Sequence, residues 1–436
     1  MKSNYVLGKF EPLATDPAMS FVMSLQTTKK AQVAWASVVV PERIVYLQKF
    51  LEILKQEQDK LTRDLAEAEG LSLDDVSSLE IEAGISLVGQ ALDEAAAASA
   101  DELGAPTGLM LFLPPQTLVF RWLCEMATRA WLAGNAVVIR ASTKSMAAQL
   151  FAQVWDQALM GADAHKALLN VFHADGKVAE AADEMLIAHP AFRAIAGAEF
   201  SNTEMEKIVH GSISHFKKLK LAGLGSNSAL VLSDADLEWA AEEIVRSLTA
   251  AGATPWAINK IFVLESQIKD FEARLKEKLK DAKPVNVAIA DNDRLQDLYK
   301  QALAENGKHF SGTYPEPLVI SDLSHCSTLQ QDPLQAPILF LLPVKYQHEM
   351  IKWANTGYLG LVNFVFGSTE KIQKISARLE SGVVIGNRWL HTDFSTAKAE
   401  AWPLGVKQSF YGIGDARVFG DFFSERRIFD GTHLRN

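Results

Sequence analysis

The chain has 436 residues, of which 48% are hydrophobic and 22% are charged. This length exceeds what one hydrophobic core organises, so two or more domains are expected. The formal net charge of −10 disfavours a nucleic-acid partner, because binding phosphate backbones requires clustered Lys and Arg. The one short basic run, Lys217, Lys218 and Lys220, is interpreted as a solvated loop or the start of a strand.

The cysteines and the amino terminus indicate the compartment. Cys124 and Cys326 are the two cysteines, and they could form one disulfide at most. No secretory signal precedes them, and no stretch of 18 uninterrupted apolar residues occurs. We therefore expect reduced thiols in a cytoplasmic protein without a membrane segment. The ten histidines form no His-x-x-x-His pair, so no bound metal is expected either.

Helical patterns come first along the chain. Between residues 29 and 69 apolar residues recur at helical spacing with charges on the other face, and a second helical stretch is predicted around residues 79–97. The apolar run Leu109–Leu113 is predicted to be a buried strand, because two prolines end it before it reaches the length of a helix. Long helices are therefore expected to precede the first strand.

Strand and helix patterns then alternate. Helices are predicted over residues 143–159 and near 179–187, and another is capped by Ser233 or Asp234 before Leu237. The predicted strands between and beyond them are "NAVVIR", "LLNVFHA", "FRAIAG", "SALVLS", "KIFVLE", "PILFLLPV", "NFVFGS" and "GVVIGN". Such alternation predicts an α/β fold with a parallel sheet and helices on both faces.

Taken in order, these segments resemble the aldehyde dehydrogenase superfamily from about Ala31 to Phe429. "LAGNAVVIRAST" resembles the family's Ala-Gly-Asn-x-Val-Val-x-Lys-Pro-Ser block, and "SALVLSDADLEWAA", "LESGVVIGNRW" and "PLGVKQSFYGIG" resemble later blocks. The resemblance implies two doubly wound, three-layer α/β/α domains. These would be a Rossmann-like domain of the cofactor-binding type with amino-terminal helices (residues 1–222) and an α/β domain of the catalytic type (residues 223–403). A tail (residues 404–436) would return to the first domain.

The resemblance also implies where the chemistry should lie. In that family a cysteine thiolate in Gly-x-x-Cys attacks the aldehyde, hydride passes to NAD(P), and a glutamate activates water. Here the loop begins at Gly252 and places Pro255 at the cysteine position, and no cysteine lies between residues 124 and 326. Lys220 or Ala222, depending on register, takes the glutamate position, and Thr117 takes that of the oxyanion-binding asparagine. Nucleophile and general base are therefore expected to be missing.

The cofactor positions implied by the resemblance are altered as well. Arg140 replaces the lysine that contacts the adenosine ribose, and Ser142 and Thr143 follow it in the same block. Glu199 and Phe200 are placed at the glycine-serine helix start that lies against the pyrophosphate, where a carboxylate would repel it. The ribose-binding glutamate is matched to Asp332 or Pro333. NAD or NADP is the cofactor by resemblance, with weak or absent binding expected.

Two functions are compatible with these residues. The first is a catalytically inactive pseudoenzyme that acts as a binding or structural partner of an unknown small molecule or protein. The alternative is an active NAD(P)-dependent oxidoreductase with an atypical site for an aldehyde or acyl substrate. A third possibility is that only one of two sites has changed use, so that the old substrate tunnel, near Trp256, Trp389 and Phe410, now binds an apolar ligand.

The assembly is expected to differ from the family's tetramer. In the family, subunits pair through a strand hairpin before the first buried strand. Here residues 93–107 are short and alanine-rich and lack the alternation that a hairpin requires. A monomer, or a dimer formed by another surface, is therefore predicted.

Overall fold

The structure is a computed structural model. It describes residues 3–13, 17–99, 104–251, 254–280, 282, 292–312, 318–330, 334, 336–389, 405–415 and 417–425. Residues 17–21, 163–164, 250–251 and 292–294 are described by their main chain alone. Of the helices in these ranges, none combines the length and the apolar character needed to cross a lipid bilayer.

The chain divides into two compact units. Unit 1 comprises Met1–Ala198, Thr203–Leu221 and Gly412–Asn436, and unit 2 comprises Glu199–Asn202 and Ala222–Tyr411. The sequence analysis expects the first boundary after residue 222 and the returning tail from residue 404. The contacts place the return at Gly412, eight residues later, and they group the short segment from Glu199 with unit 2.

Unit 1 begins with a hairpin of β1 (Ser3–Val6) and β2 (Lys9–Pro12). The prediction that long helices come first is therefore wrong. All four residues of β2 are exposed, so this strand has no apolar face that a sequence pattern could reveal. Leu7 and Gly8 form the turn with positive φ angles, and Tyr5 is buried.

The predicted helices follow the hairpin. They are α1 (Pro17–Ala36), α2 (Val40–Gln56), α3 (Gln58–Glu69), α4 (Leu73–Asp75), a π-helix (Val76–Glu82) and α5 (Ala83–Ala97). Helix α2 buries Arg43, Leu47, Phe50 and Leu54, which share one face at helical spacing. Helix α3 ends at Gly70, whose left-handed backbone ends the helix.

A mainly parallel sheet forms the body of unit 1. The elements are β3 (Ala105–Pro106), β4 (Leu109–Leu113), α6 (Val119–Leu132), β5 (Ala136–Ala141), α7 (Met146–Ala158), α8 (Asp163–Lys166), β6 (Leu169–His173), α9 (Gly176–Ala188), β7 (Phe192–Phe200), α10 (Asn202–Ile213) and β8 (Lys218–Gly223). The strand order is β8-β7-β4-β5-β6-β1-β2, with β4 parallel to β5 and β7, and β5 parallel to β6. The buried strand predicted from its two terminating prolines is β4, and all five of its residues are buried.

Unit 2 has its own sheet. Its elements are β9 (Asn227–Val231), α11 (Leu237–Ala251), β10 (Ile258–Leu264), α12 (Ile268–Lys280), α13 (Asn292–Ala304), β11 (Lys308–Ser311), β12 (Leu318–Ser321), a 3-10 turn (Thr328–Gln330), β13 (Ile338–Val344), α14 (Gln347–Ala354), β14 (Leu359–Gly360), β15 (Val362–Phe366), α15 (Thr369–Ser376), β16 (Val383–Gly386) and β17 (Val406–Lys407). The order is β11-β12-β13-β10-β9-β15-β16, parallel except at β11. The predicted α/β class with parallel sheets is thus confirmed.

The carboxyl-terminal segment leads back into unit 1. It contains β18 (Phe410–Gly412) and β19 (Ser424–Glu425), and β19 pairs antiparallel with β3. The segment in which the sequence predicts no hairpin is α5 up to Ala97 and, from Gly104, the short strand β3, while residues 100–103 lie outside the described ranges. Within unit 1, β3 therefore has the chain's own tail as its partner.

Candidate active site

The loop before β10 occupies the position at which the sequence analysis expects a nucleophile. Asn227, at the start of β9, fixes this loop. Its Nδ2 donates to the carbonyl oxygen of Pro255 at 2.6 Å and to that of Ala257 at 2.9 Å. Its Oδ1 accepts from the Val362 amide at 3.2 Å. A buried amide side chain thus joins three segments of unit 2 and sets the register of the loop.

The side chains of this loop are poorly suited to covalent catalysis. Pro255 offers only a saturated ring. Thr254 is buried, and its hydroxyl finds no hydrogen-bond partner among the described residues, so no base activates it. Gly252 and Ala253 lie outside the described residues.

The two cysteines lie in other parts of the chain. Cys124 is fully buried on α6, and burial, followed by the nearby Glu80, raises the pKa of its thiol well above the ordinary value. It therefore stays protonated and is a poor nucleophile. Cys326 is exposed between β12 and the 3-10 turn, and neither cysteine forms a disulfide. The expectation of free thiols agrees with this arrangement.

The two candidates for the general-base position share one face of β8. Lys220 and Ala222 are two residues apart and both are buried. The Lys220 ammonium donates to the carbonyl oxygen of Gly414 at 3.0 Å within unit 1. Ala222 offers a methyl group. Neither side chain is a carboxylate, the group that the family uses to activate water.

The turn after β8 packs directly on the loop before β10. A Cβ atom on Gly225 would stand 2.5 Å from the Pro255 carbonyl oxygen and 2.6 Å from the Asn227 Oδ1. Glycine is therefore required there for close approach of the backbone. The turn and the loop therefore contact each other within unit 2 through Gly225 and Pro255. These two residues carry neither a thiolate nor a carboxylate.

Thr117 lies in the turn between β4 and α6 and is almost completely buried. Leu118, the next residue, has a left-handed backbone and precedes the first residue of α6. Thr117 belongs to unit 1, where it keeps a hydroxyl group at the position matched to the oxyanion-binding asparagine.

Lys260 is a residue that the sequence analysis missed. It lies on β10, five residues after Pro255, and is almost fully buried, with its ammonium donating to the Gln330 carbonyl oxygen at 2.8 Å. Burial, followed by repulsion from Lys407, lowers the pKa of this lysine to about 7. The available signal was a single charged residue within the mainly apolar strand "INKIFVL".

Arg140 contacts a carboxylate of its own chain. Its Nε and Nη2 donate to the two carboxylate oxygens of Asp183 on α9 at 2.6 and 2.5 Å. The side chains are 19% and 22% exposed. Burial raises the pKa of Asp183, and Arg140 partly opposes that rise. Two nitrogens of the Arg140 guanidinium, Nε and Nη2, are therefore already hydrogen-bonded to Asp183.

Ser142 and Thr143 are held by a second carboxylate. The Ser142 hydroxyl donates to Asp175 at 2.8 Å, the Thr143 amide donates at 3.0 Å, and the Thr143 hydroxyl also donates to Asp175. These hydrogen bonds outweigh the effect of burial and lower the pKa of Asp175. The residues matched to the family's ribose-binding block are therefore bound by two carboxyl groups of the chain itself, those of Asp183 and Asp175.

Glu199 and Phe200 do not begin a helix, so their predicted placement is wrong. They end β7, and α10 begins at Asn202. Pairing with β4 extends β7 as far as Gly197, and Ser and Asn start helices more readily than Glu and Phe do. The residues at the helix start are Ser201 and Asn202. Glu199 is buried with a left-handed backbone.

The remaining predicted positions are only partly described. Asp332 and Pro333 lie outside the described residues. Trp256 and Trp389 are both fully buried in unit 2, and Phe410 is half-buried in β18. Among the residues that the structure describes, no group of three or more His, Cys, Asp or Glu side chains is placed to hold a metal ion.

Comparison with known proteins identifies the family. The model of the "Aldehyde dehydrogenase family" matches residues 18–428. The chain belongs to the aldehyde dehydrogenase family. This aldehyde dehydrogenase family member is 24% identical to 2-aminomuconic semialdehyde dehydrogenase of Homo sapiens, over 99% of this chain and 98% of that protein. It is 22% identical to malonate-semialdehyde dehydrogenase of Lacticaseibacillus casei, over 93% and 87%.

Solved structures share the fold of this family member. Lactaldehyde dehydrogenase from Escherichia coli matches with a TM-score of 0.81 at 18% identity, covering 96% of each chain. An aldehyde dehydrogenase from Mycobacterium tuberculosis, complexed with NAD+, matches with a TM-score of 0.82 at 17% identity, covering 96% of this chain and 95% of that one. At these identities the likeness shows the fold alone.

Proposed function

We propose that this aldehyde dehydrogenase family member is a catalytically inactive pseudoenzyme that acts as a binding or structural partner in the cytoplasm. The observation that carries the proposal is the loop at Pro255. Two hydrogen bonds from Asn227 hold this loop, and the resemblance matches its Pro255 to the family's catalytic cysteine. A fold alone does not confer activity, because activity depends on the groups at the site.

Two separate losses support the proposal. Without a thiolate at Pro255, no covalent bond forms between this loop and an aldehyde carbon. Without a carboxylate at Lys220 or Ala222, no side chain there activates water for hydrolysis of such an adduct. Replacing one group would leave the other step without its catalyst, so the inactivity does not depend on one substitution.

The contacts of Arg140 support weak or absent dinucleotide binding. To reach a ribose, its guanidinium would have to leave Asp183, which would then remain as a partly buried carboxylate near the anionic cofactor. Asp175 adds a second negative charge in the same region of unit 1. Both charges oppose a diphosphate.

Lys260 favours a second candidate, an active site that uses an unusual nucleophile. A lysine with a pKa of about 7 is half neutral at physiological pH, and a neutral amine condenses with an aldehyde to an imine, releasing water. The curated relatives are named semialdehyde dehydrogenases, so a semialdehyde is the substrate class to test. An active NAD(P)-dependent oxidoreductase with an atypical site would use an unusual nucleophile of this kind or would transfer hydride without a covalent step.

Borohydride trapping distinguishes the two candidates. The full-length protein is incubated with malonate semialdehyde and sodium borohydride, which reduces an imine to a stable secondary amine, and adducts are mapped by peptide mass spectrometry. We expect no adduct at Lys260 above the level at the exposed Lys269, because the Lys260 ammonium is buried and hydrogen-bonded to Gln330. Selective labelling of Lys260 that is absent in Lys260→Met would overturn the proposal in favour of the second candidate.

The assembly we propose is a monomer, or a dimer formed without a strand hairpin. Its support is the pairing of β3 with the chain's own β19. Light scattering at micromolar concentration should give one or two chain masses of 47.9 kDa. A stable mass of four chains would contradict it.

A further inference from the structure

A cleft in unit 1 opens at the amino-terminal ends of β4 and β7. Its volume is about 970 Å³, which lies within the range of small-molecule sites. One wall is apolar and is formed where α1 passes into α2, with Val33 and Val39 both 57% exposed. Residues 104–109 and 190–193 form further walls. Arg140 lies toward the opposite, carboxyl-terminal end of β5, so the cleft is separate from the site described above.

The charged lining of this cleft is entirely positive. Lys29, Arg43 and Arg193 line it, and no Asp or Glu is among the lining residues that the structure describes. None of the three cations forms a salt bridge to another described residue. In a chain of net charge −10, three cations without a carboxylate in one cleft indicate attraction for an anion.

Arg43 carries the strongest indication. It is 6% exposed, and its Nη1 and Nη2 donate to the carbonyl oxygens of Leu132 and Ala36 at 2.9 and 2.8 Å. Leu132 and Ala36 end α6 and α1, so two helix C-termini offer partial negative charge. The Nε is buried and finds no acceptor among the described residues. A buried donor on a full positive charge is costly to leave unpaired.

Two carboxylates, those of Asp421 and Glu425, act on Lys218 near one wall of the cleft, where Glu425 pairs with the lining residue Ala105. Burial lowers the pKa of Lys218, and repulsion from Arg193 lowers it as well. Asp421 and Glu425 act in the opposite direction on that pKa, so they are the carboxylates that face Lys218. The Lys218 ammonium donates to the carbonyl oxygens of Asp421 and Ser424. Lys218 thus has its own hydrogen-bond partners, whereas Arg193 makes no ion pair with the described part of the chain.

We propose that this cleft binds a small organic anion. Its oxyanion would accept from the Arg43 Nε and be held by Lys29 and Arg193, and its apolar body would lie against the valines of the α1–α2 wall. The ligand class is an apolar group that bears a phosphate or a carboxylate. The inference extends the proposed binding role to a defined site, and it stands whether or not the family's reaction centre is active.

The test uses octyl phosphate as the probe, with octanoate, inorganic phosphate and octanol beside it, and calorimetry on the full-length protein. Octyl phosphate should bind, octanoate should bind more weakly because it carries less charge, and octanol should not bind. Arg193→Gln and Lys29→Gln, which change exposed side chains, should each weaken octyl phosphate about threefold to tenfold, as expected for loss of one charged contact. The matched control is Lys144→Gln, after the far end of β5, which should leave the affinity unchanged.

Three outcomes would overturn the proposal. Equal binding of octanol would show a purely apolar site. Loss of binding in Lys144→Gln with none in Arg193→Gln would move the anion to the other end of the sheet. Binding that appears only in the double variant Asp101→Asn, Glu102→Gln would show that the chain's own carboxylates, which precede Gly104 in sequence, compete for the cations.

Discussion

The Arg140–Asp183 pair gives the sharpest test of the altered cofactor region. Two charge-assisted hydrogen bonds join the side chains, and each such bond contributes about 1.5–3 kcal/mol when well shielded. The partial exposure of the two side chains and the desolvation of Asp183 reduce this stabilisation. For comparison, a fully exposed ion pair stabilises a protein by roughly 0.2–1 kcal/mol. A double-mutant cycle with Arg140→Gln and Asp183→Asn should therefore give a coupling energy of about 2 kcal/mol.

The assay is urea unfolding of the four proteins in the cycle, followed by fluorescence. The matched control is the Glu370–Lys374 pair on α15, whose side chains are 78% and 72% exposed, and its cycle should give about 0.5 kcal/mol or less. A coupling for Arg140–Asp183 no larger than the control would refute the reasoning, because the guanidinium would then be free to contact a ribose.

Three further changes test unit 1 and unit 2 separately. Burial, followed by the charge of Glu69, raises the pKa of Glu80 from 4.5 to about 8, so stability that is fully present below pH 4.5 is lost as pH rises toward 8. Glu80→Gln should remove a loss of about 1.4 kcal/mol per pH unit between these two values. Burial, followed by repulsion from Lys407, lowers the pKa of Lys260 from 10.5 to about 7, so stability that is fully present above pH 10.5 is lost as pH falls toward 7. Lys260→Met should remove a similar loss between pH 10.5 and 7. Gly225→Ala should cost about 1–3 kcal/mol, because its Cβ would overlap the Pro255 carbonyl oxygen.

Each change has a control in the same assay of denaturant unfolding against pH. Glu82→Gln, exposed on the same π-helix, should keep the wild-type slope between pH 4.5 and 8, as Lys269→Met should keep the slope between pH 7 and 10.5. Gly89→Ala should be tolerated, since a Cβ there meets nothing within 4 Å. Unchanged slopes in Glu80→Gln or Lys260→Met would mean that these groups are better solvated than their burial indicates.

The central strands were predictable because their patterns are local. Leu109–Leu113 is apolar throughout and ends at prolines, which is typical of a strand buried on both faces of a parallel sheet. The β1–β2 hairpin was missed because β2 is fully exposed and gains its order from pairing with β1, which contacts β6 at Val171. Tyr5 of β1 pairs with Val171 of β6, more than 150 residues away in the sequence, and such a contact leaves no pattern in the local sequence.

The candidate site could be located from sequence, but its contacts could not. Motif order placed Pro255 in the loop before β10, and Asn227 holds that loop there. Counting without knowledge of strand length misplaced the helix start to Glu199, because β7 continues to Phe200, three residues beyond its pairing with β4. The carboxylate that binds Arg140 of β5 lies 43 residues away on α9, and no pattern within either segment predicts their contact.

The central claim, that the protein lacks the family's activity, is tested most directly by the rate of NADH or NADPH formation with malonate semialdehyde as substrate. Purified wild type at micromolar concentration is compared with a protein-free control and with the double variant Cys124→Ser, Cys326→Ser. The account predicts a rate equal to the protein-free control in both proteins, because neither a thiolate nor a base lies at Pro255 and Ala222. Steady turnover by the wild type would contradict it, and loss of that turnover in the double variant would identify a thiol as the nucleophile.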